Sequence, residues 1–326
     1  MSGPHLHVLA TGGTIAGRGG SPTRRDYRPG QIGIDEFLAR IEQLALGARL
    51  TGEQVANIGS EDIAYAVWAR LHAAASAGLA NPAVDGLIIT HGTDTAEETA
   101  LLLDRTLPTA KPIVLVGAMR AADAVGSDGW RNFANAVQVA RDPAAAGRGV
   151  LVVMGDLVHA ARDVRKAITS GTGAFRSFPR GPVAAVTPTS LEWFADPWRV
   201  GAGALYPFPA AMPEVALIYC CAGLDGRIVA LHRAAGAQGF VVAGFGEGTM
   251  PEPLRAALRD VAAAGLPVVR ATRVDEGLVD RAPDDDGDGF IAARALGPAK
   301  ARILLQVLIA AGLRDPAVIQ QAFEAR

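Results

Sequence analysis

The sequence predicts an α/β fold in two parts: a larger N-terminal domain with a mostly parallel sheet flanked by helices, and a smaller C-terminal α/β domain. Three observations predict it. Short apolar runs alternate with segments of helical period, which favours parallel strands covered by helices on both faces. Several of these runs end in glycine and hydroxyl residues, and would stop along one edge of the sheet, where open α/β sheets bind ligands. Residues 190–213 then break the pattern, with Trp193, Trp198, Gly201, Gly203, Pro207 and Pro209 and no clear period. That stretch reads as a linker between domains and divides the chain into residues 1–190, 191–213 and 214–326.

The first run, Leu6, Val8, Leu9 and Ala10, enters Thr11-Gly12-Gly13-Thr14 and reads as a buried strand ending in a tight turn. Glycine there permits positive φ and lets a ligand approach the main chain. A loop rich in glycine and charge follows, long enough to move and with glycines able to act as hinges. Ile34, Phe37, Leu38, Ile41 and Leu44 predict a helix over 34–46. A short strand over 55–58 ends at Gly59-Ser60-Glu61-Asp62, with Ser60 placed to cap a helix over 63–79. The strand over 86–89 ends in a second hydroxyl turn, Thr90-His91-Gly92-Thr93-Asp94-Thr95. A helix over 97–107 and a strand over 111–116 lead to Gly117-Ala118-Met119-Arg120. A helix over 130–141 and a strand over 149–154 follow. In the C-terminal part, strands are expected over 214–222, 240–244 and 267–271, and helices over 254–264, 300–311 and 315–325. Two threonine turns far apart in sequence, each after a strand, point to one shared site. The convergence of all these turns on one sheet edge argues for an enzyme.

Composition narrows the classes. The 326 residues are 50% hydrophobic and 20% charged, which is a globular composition with length for a large core. A net charge of −2 and the lack of a basic patch exclude a nucleic-acid surface; the Arg24-Arg25 pair reads as a solvated loop. Cys220 and Cys221 would point to opposite faces of a strand, so they are expected as buried thiols rather than a disulfide, and no zinc spacing exists. No run approaches a membrane span. Residues 1–4 lead into the first strand without the regions of a signal peptide, which reads as cytoplasmic. Asp284-Asp285-Asp286-Gly287-Asp288-Gly289 opens like a calcium loop, but its twelfth position is Ala295. A solvated acidic turn is the better reading, and no metal is expected. Gly12, Gly13 and Gly17 do not fit the G-x-G-x-x-G spacing of a dinucleotide turn, and no helix opens after them. No cofactor is expected either.

Thr11-Gly12-Gly13-Thr14-Ile15-Ala16-Gly17 and His91-Gly92-Thr93-Asp94-Thr95 resemble the two signatures of the bacterial-type L-asparaginase/glutaminase family. The likeness continues, in the family's order, at Ile58-Gly59-Ser60-Glu61-Asp62, Val116-Gly117-Ala118-Met119-Arg120, Asp163-Val164-Arg165-Lys166 and Lys300-Ala301-Arg302-Ile303-Leu304-Leu305-Gln306. It implies hydrolysis of L-asparagine to L-aspartate and ammonia through a threonine acyl-enzyme, with some glutaminase activity, no cofactor, and a homotetramer built as a dimer of dimers. The same fold could prefer glutamine, a D-amino acid or a tRNA-linked amide; no basic patch or added N-terminal module supports the last. A non-catalytic amino-acid sensor is the remaining alternative.

Amide hydrolysis needs a nucleophile, a proton acceptor and donors for the oxyanion. By resemblance Thr14 is the nucleophile; on its own it also reads as a turn threonine bonding its own backbone. Tyr27 matches the tyrosine of a mobile loop that assists Thr14. Its phenol, normally near ~10, works as a base only where phenolate is favoured or where it relays a proton. Thr93, Asp94 and Lys166 match the second hydroxyl–carboxylate–lysine group, although the run Arg162-Asp163-Val164-Arg165-Lys166 alone reads as solvent-facing charge. Which threonine attacks in which half-reaction stays open. Ser60 and Glu61 match residues that hold the α-carboxylate and α-amine, with Asp94 also on the amine. Glu61 stands where the family has Gln or Glu and is expected to loosen selectivity toward glutamine. Ala118 is expected to offer its carbonyl to the departing amide. The family completes its site with an acidic residue and an Asn or Ser from a neighbouring subunit; the matching positions here are Ala282 and Thr249. Asp280, or one of Asp284, Asp285 and Asp286, is the expected substitute for the acid.

Overall fold

The computed structural model describes residues 3–21, 23, 26–44, 46–108, 110–198 and 205–325; Arg24-Arg25 lie outside the described residues. The chain divides into two compact units, one ending at Leu205 and one beginning at Tyr206. The α/β class holds in both.

The first unit is built on an eight-stranded sheet. Its parallel part runs β1 (His5–Gly12), β2 (Arg49–Ile58), β3 (Gly86–Thr90), β4 (Ile113–Val116) and β5 (Val150–Met154). Between them come α1 (Ile34–Glu42), α2 (Tyr65–Ala80), α3 (Ala96–Thr106) and α4 (Gly129–Ala140). After β5 the chain continues through β6 (Leu157–Ala160), β7 (Val164–Lys166), β8 (Phe175–Ser177), β9 (Ala184–Val186) and β10 (Leu191–Trp193). The sheet order is β10-β9-β6-β5-β4-β3-β1-β2, antiparallel from β5 outward through β6, β9 and β10. Strands β7 and β8 form a separate antiparallel pair.

Why the central strands read as unbroken apolar runs is plain from their two faces. Val8, Ile88, Val114 and Val153 pack with Phe37, Ile41, Phe133 and Val137 of α1 and α4. Their neighbours Leu9, Ile89, Leu115 and Val152 pack with Leu71, Ala75, Ala100 and Leu103 of α2 and α3. Alternate side chains serve opposite faces, and both faces are covered.

The second unit holds a four-stranded parallel sheet in the order β11 (Val215–Tyr219), β12 (Gly239–Gly244), β13 (Val268–Thr272) and β14 (Phe290–Ala292). Its helices are α5 (Arg227–Ala234), α6 (Glu252–Ala263), α7 (Pro283–Asp288), α8 (Pro298–Ala310) and α9 (Pro316–Glu324).

Several local expectations change. Helix α1 stops at Glu42, and α2 begins at Tyr65 with no side-chain cap, so Ser60 is not its cap. Leu191–Trp193, inside the stretch read as linker, pairs with β9. The tryptophans there are packing residues: the Arg148 guanidinium lies 4.0 Å from the Trp193 ring centre and Trp193 donates to Asp142. Strand β11 ends at Tyr219, which leaves Cys220 buried and Cys221 exposed. The expected acidic turn is helix α7, and Asp285 is buried within it.

Candidate active site

The turns after β1, β2, β3 and β4 meet, and glycine lets them. Gly13 has φ +76°, and a Cβ there would stand 2.4 Å from the Gly92 nitrogen. A Cβ on Gly92 would stand 2.6 Å from Ser60 Oγ, and one on Gly117 would stand 2.8 Å from the His91 carbonyl oxygen. No side chain fits at any of these contacts. The register of β1 against β2 shifts between Ala10 and Gly12, and the pairing resumes at Gly12 and Ile58, with Gly13 N–H donating to the Ile58 carbonyl at 2.9 Å just before Thr14.

Thr14 is buried, and its Oγ1 lies 2.8 Å from the Tyr27 hydroxyl. Tyr27 arrives on a loop pinned at its base. Arg18 and Arg28 exchange backbone hydrogen bonds of 3.2 and 2.8 Å, and Gly30 N–H donates to the Gly13 carbonyl at 3.1 Å. Arg18 also pairs with Glu36 of α1, and Gly19 N–H donates to Asp123.

Lys166 Nζ donates to Thr93 Oγ1 at 2.9 Å and to Asp94 Oδ1 at 2.5 Å. The lysine ends β7, and that strand is anchored at its start. Asp163 is buried and accepts a two-pronged bond from Arg180, Nε at 2.9 Å and Nη2 at 3.0 Å. The run 162–166 is therefore not a solvent-facing charged segment: Arg162 and Asp163 are buried, and the Lys166 side chain is only 19% exposed. Neither Thr14 N–H nor Thr93 N–H finds an acceptor among the described residues. Two such amides beside two hydroxyls are what an oxyanion requires.

Ser60 is buried, and its Oγ accepts from Asp94 N–H at 3.1 Å while its carbonyl accepts from Thr95 Oγ1 at 2.8 Å. It ties the second turn to the third. Glu61 is exposed, with its carboxylate folded against Gly59. Ala118 is fully buried at the end of β4. His91, quoted only as part of a motif, is fully buried; its Nδ1 donates to the Gly92 carbonyl at 2.6 Å, and burial lowers its pKa to about 4. It is a neutral imidazole that fixes the peptide before Thr93. Asp128 and Asn132 of the next helix also hold site backbone and were not singled out by sequence. The signal was Asp128 with Asn132 four residues on, which looks like an ordinary helix start.

In the second unit Ala282 precedes α7, and Thr249 donates to the Phe245 carbonyl at 3.2 Å. Asp280 pairs with Arg294. Asp285 is committed to Arg270 and Arg255, and Asp286 to Arg281 at 2.7 Å, so both serve the unit itself. No three of His, Cys, Asp and Glu come together at metal-ligand spacing among the described residues, and no helix among them is long and apolar enough to cross a membrane.

The sheet edge thus defines an α/β protein whose site is made of hydroxyls, a lysine and backbone amides. The chain belongs to the asparaginase family: residues 5–199 match its N-terminal model and residues 214–323 the glutaminase/asparaginase C-terminal domain. It is 40% identical to L-asparaginase 2 of Escherichia coli (strain K12), over 98% of this chain and 92% of that protein. It is 36% identical to the glutaminase-asparaginase of Pseudomonas fluorescens biotype A, over 93% and 85% of the two. The crystal structure of a probable cytoplasmic L-asparaginase from Campylobacter jejuni superposes with a TM-score of 0.93 at 33% identity, covering 99% of this chain and all of that one.

Proposed function

We propose that this protein hydrolyses L-asparagine to L-aspartate and ammonia, with some activity on L-glutamine. The observation that carries the reading is the pairing of Thr14 with Tyr27 beside the Thr93–Lys166–Asp94 group on glycine-packed turns. Thr14 Oγ1 attacks the amide carbon as Tyr27 accepts its proton. The Thr14 and Thr93 N–H groups receive the oxyanion. The Ala118 carbonyl accepts an N–H of the departing amide, which leaves as ammonia after protonation. A water held by Thr93 and Lys166 then attacks the ester carbon, restores the Thr14 hydroxyl and releases aspartate. Ser60, Glu61 and Asp94 hold the α-carboxylate and α-amine. The domains are taken as 1–190 and 214–326, with Leu191–Trp193 of the stretch between them paired onto the first as β10, the assembly as a homotetramer of two dimers, and the location as cytoplasmic, as in the Campylobacter relative's description.

Ammonia release from L-asparagine and L-glutamine, wild type beside Thr14→Ala, tests this. A folded mutant should lose at least ~10³-fold in kcat. Release from neither amide by wild type, or an active Thr14→Ala, overturns the reading. Sedimentation should give a tetramer.

A further inference from the structure

Aspartate in front of a helix normally caps it. Asp128 stands at the N-cap of α4, yet its side chain makes no cap bond. Both carboxylate oxygens instead accept from Met119 N–H, at 3.1 and 3.0 Å, and one also accepts from Arg120 N–H at 2.9 Å. The other accepts from Asn132 Nδ2 at 3.0 Å. Asn132 in turn donates to the Gly117 carbonyl at 3.0 Å and accepts from Gly155 N–H at 3.1 Å. Asp128 is 7% exposed and has no ion-pair partner among the described residues. A buried carboxylate without a cation is costly unless N–H donors satisfy it. Here they come mostly from one short loop, residues 117–120.

That loop carries Ala118. The Ala118–Met119 peptide is trans, so its N–H and C=O point in opposite directions. Drawing Met119 N–H onto Asp128 therefore turns the Ala118 carbonyl away from α4. The same loop touches the Thr93 methyl, 3.2 Å from where a Gly117 Cβ would stand. The Ala118 carbonyl accepts no hydrogen bond among the described residues, although the residue is fully buried.

We propose that Asp128 is a positioning residue for the leaving group: it fixes the Ala118 carbonyl to accept an N–H of the scissile carboxamide, and so sets the preference for amides over esters. The inference rests on the proposed amide hydrolysis. An amide presents an N–H to that carbonyl; the β-methyl ester of L-aspartate does not.

The experiment compares kcat/KM for L-asparagine and L-aspartate β-methyl ester in wild type, Asp128→Asn and Asn132→Ser, with melting temperatures as the folding control. In Asp128→Asn one acceptor becomes an NH2 facing N–H donors. The expected result is a loss of about tenfold on asparagine, the equivalent of one hydrogen bond, with the ester within about threefold of wild type. Asn132→Ser leaves the Met119 and Arg120 bonds in place but removes the donor to Gly117 and to one Asp128 oxygen, and should move the amide-to-ester ratio by no more than about threefold, less than Asp128→Asn does. Equal losses on both substrates in Asp128→Asn, or the same ratio shift in Asn132→Ser, overturn the proposal. If Asp128→Asn does not fold, Asp128→Glu reads the same ratio, with the same criteria. A wild type that hydrolyses neither compound overturns the amidohydrolase reading instead.

Discussion

Replacing Gly13 by Ala perturbs the contact on which the site is assembled. Two effects add. An L-residue at φ +76° costs roughly 1–2 kcal/mol. The new Cβ would also stand 2.4 Å from a backbone nitrogen of Gly92, where ordinary contact begins at 3.4 Å. Neither partner is a flexible side chain, so the two turns must part by about 1 Å, at a further ~1–3 kcal/mol. Thr14 rides on one turn and Thr93 on the other. A displacement of that size is expected to lower kcat by about 10²-fold. Gly171→Ala is the control: φ is +92°, but nothing lies within 4 Å of its Cβ. The assay is ammonia release from L-asparagine, read beside the melting temperature of each variant. Gly13→Ala within about threefold of Gly171→Ala in kcat would refute the idea that backbone-to-backbone packing of these turns sets the geometry.

Lys166→Met removes the donor to Thr93 and Asp94 and should lower kcat by ~10²-fold or more with the fold intact, measured by steady-state kinetics and circular dichroism. His91 and His159 are buried with pKa values lowered to about 4 by burial, against 6.5 unfolded. The unfolded chain binds more protons between those values, so stability is full above pH 6.5 and falls toward pH 4, by up to about 1.4 kcal/mol per pH unit for each histidine. His159→Gln should flatten that slope in a series of melting curves from pH 7 to 4.5; an unchanged slope counts against it. Asp285→Ala leaves the buried Arg270 without its carboxylate and should destabilise the second unit by about 3 kcal/mol in denaturant unfolding.

Much of this molecule was legible in its sequence because parallel strands buried on both faces are written as continuous apolar runs. The strand over 86–89, the turn at 90–95 and the helix after it are all local signals, and each was found within a residue or two. The stretch from 155 to 193 was not resolved into elements. Strands β6 to β10 are three or four residues long and antiparallel, with too few positions for a period to show. The role of the acidic segment at 284–288 could not be read locally either. Asp284 to Asp286 look alike in sequence, but only Asp285 meets Arg270, fifteen residues away on β13.

The candidate site divides along the same line. Thr14 and Thr93 follow strands directly, so their placement on the sheet edge comes from a local pattern. Lys166 does not: its charged neighbours read as surface, and only the pairing of β7 with β8 and the Asp163–Arg180 fork bring its amine to Thr93. Asp128 is hidden for another reason. Its residue type has a common local use, helix capping, which the structure leaves unused while the carboxylate binds a loop eight and nine residues upstream. Of the candidate chemical groups, Thr14 and Thr93 sit in turns that sequence marks with glycine. Residues that aim them sit in the next layer, where an aspartate or arginine carries no mark until the chain has folded.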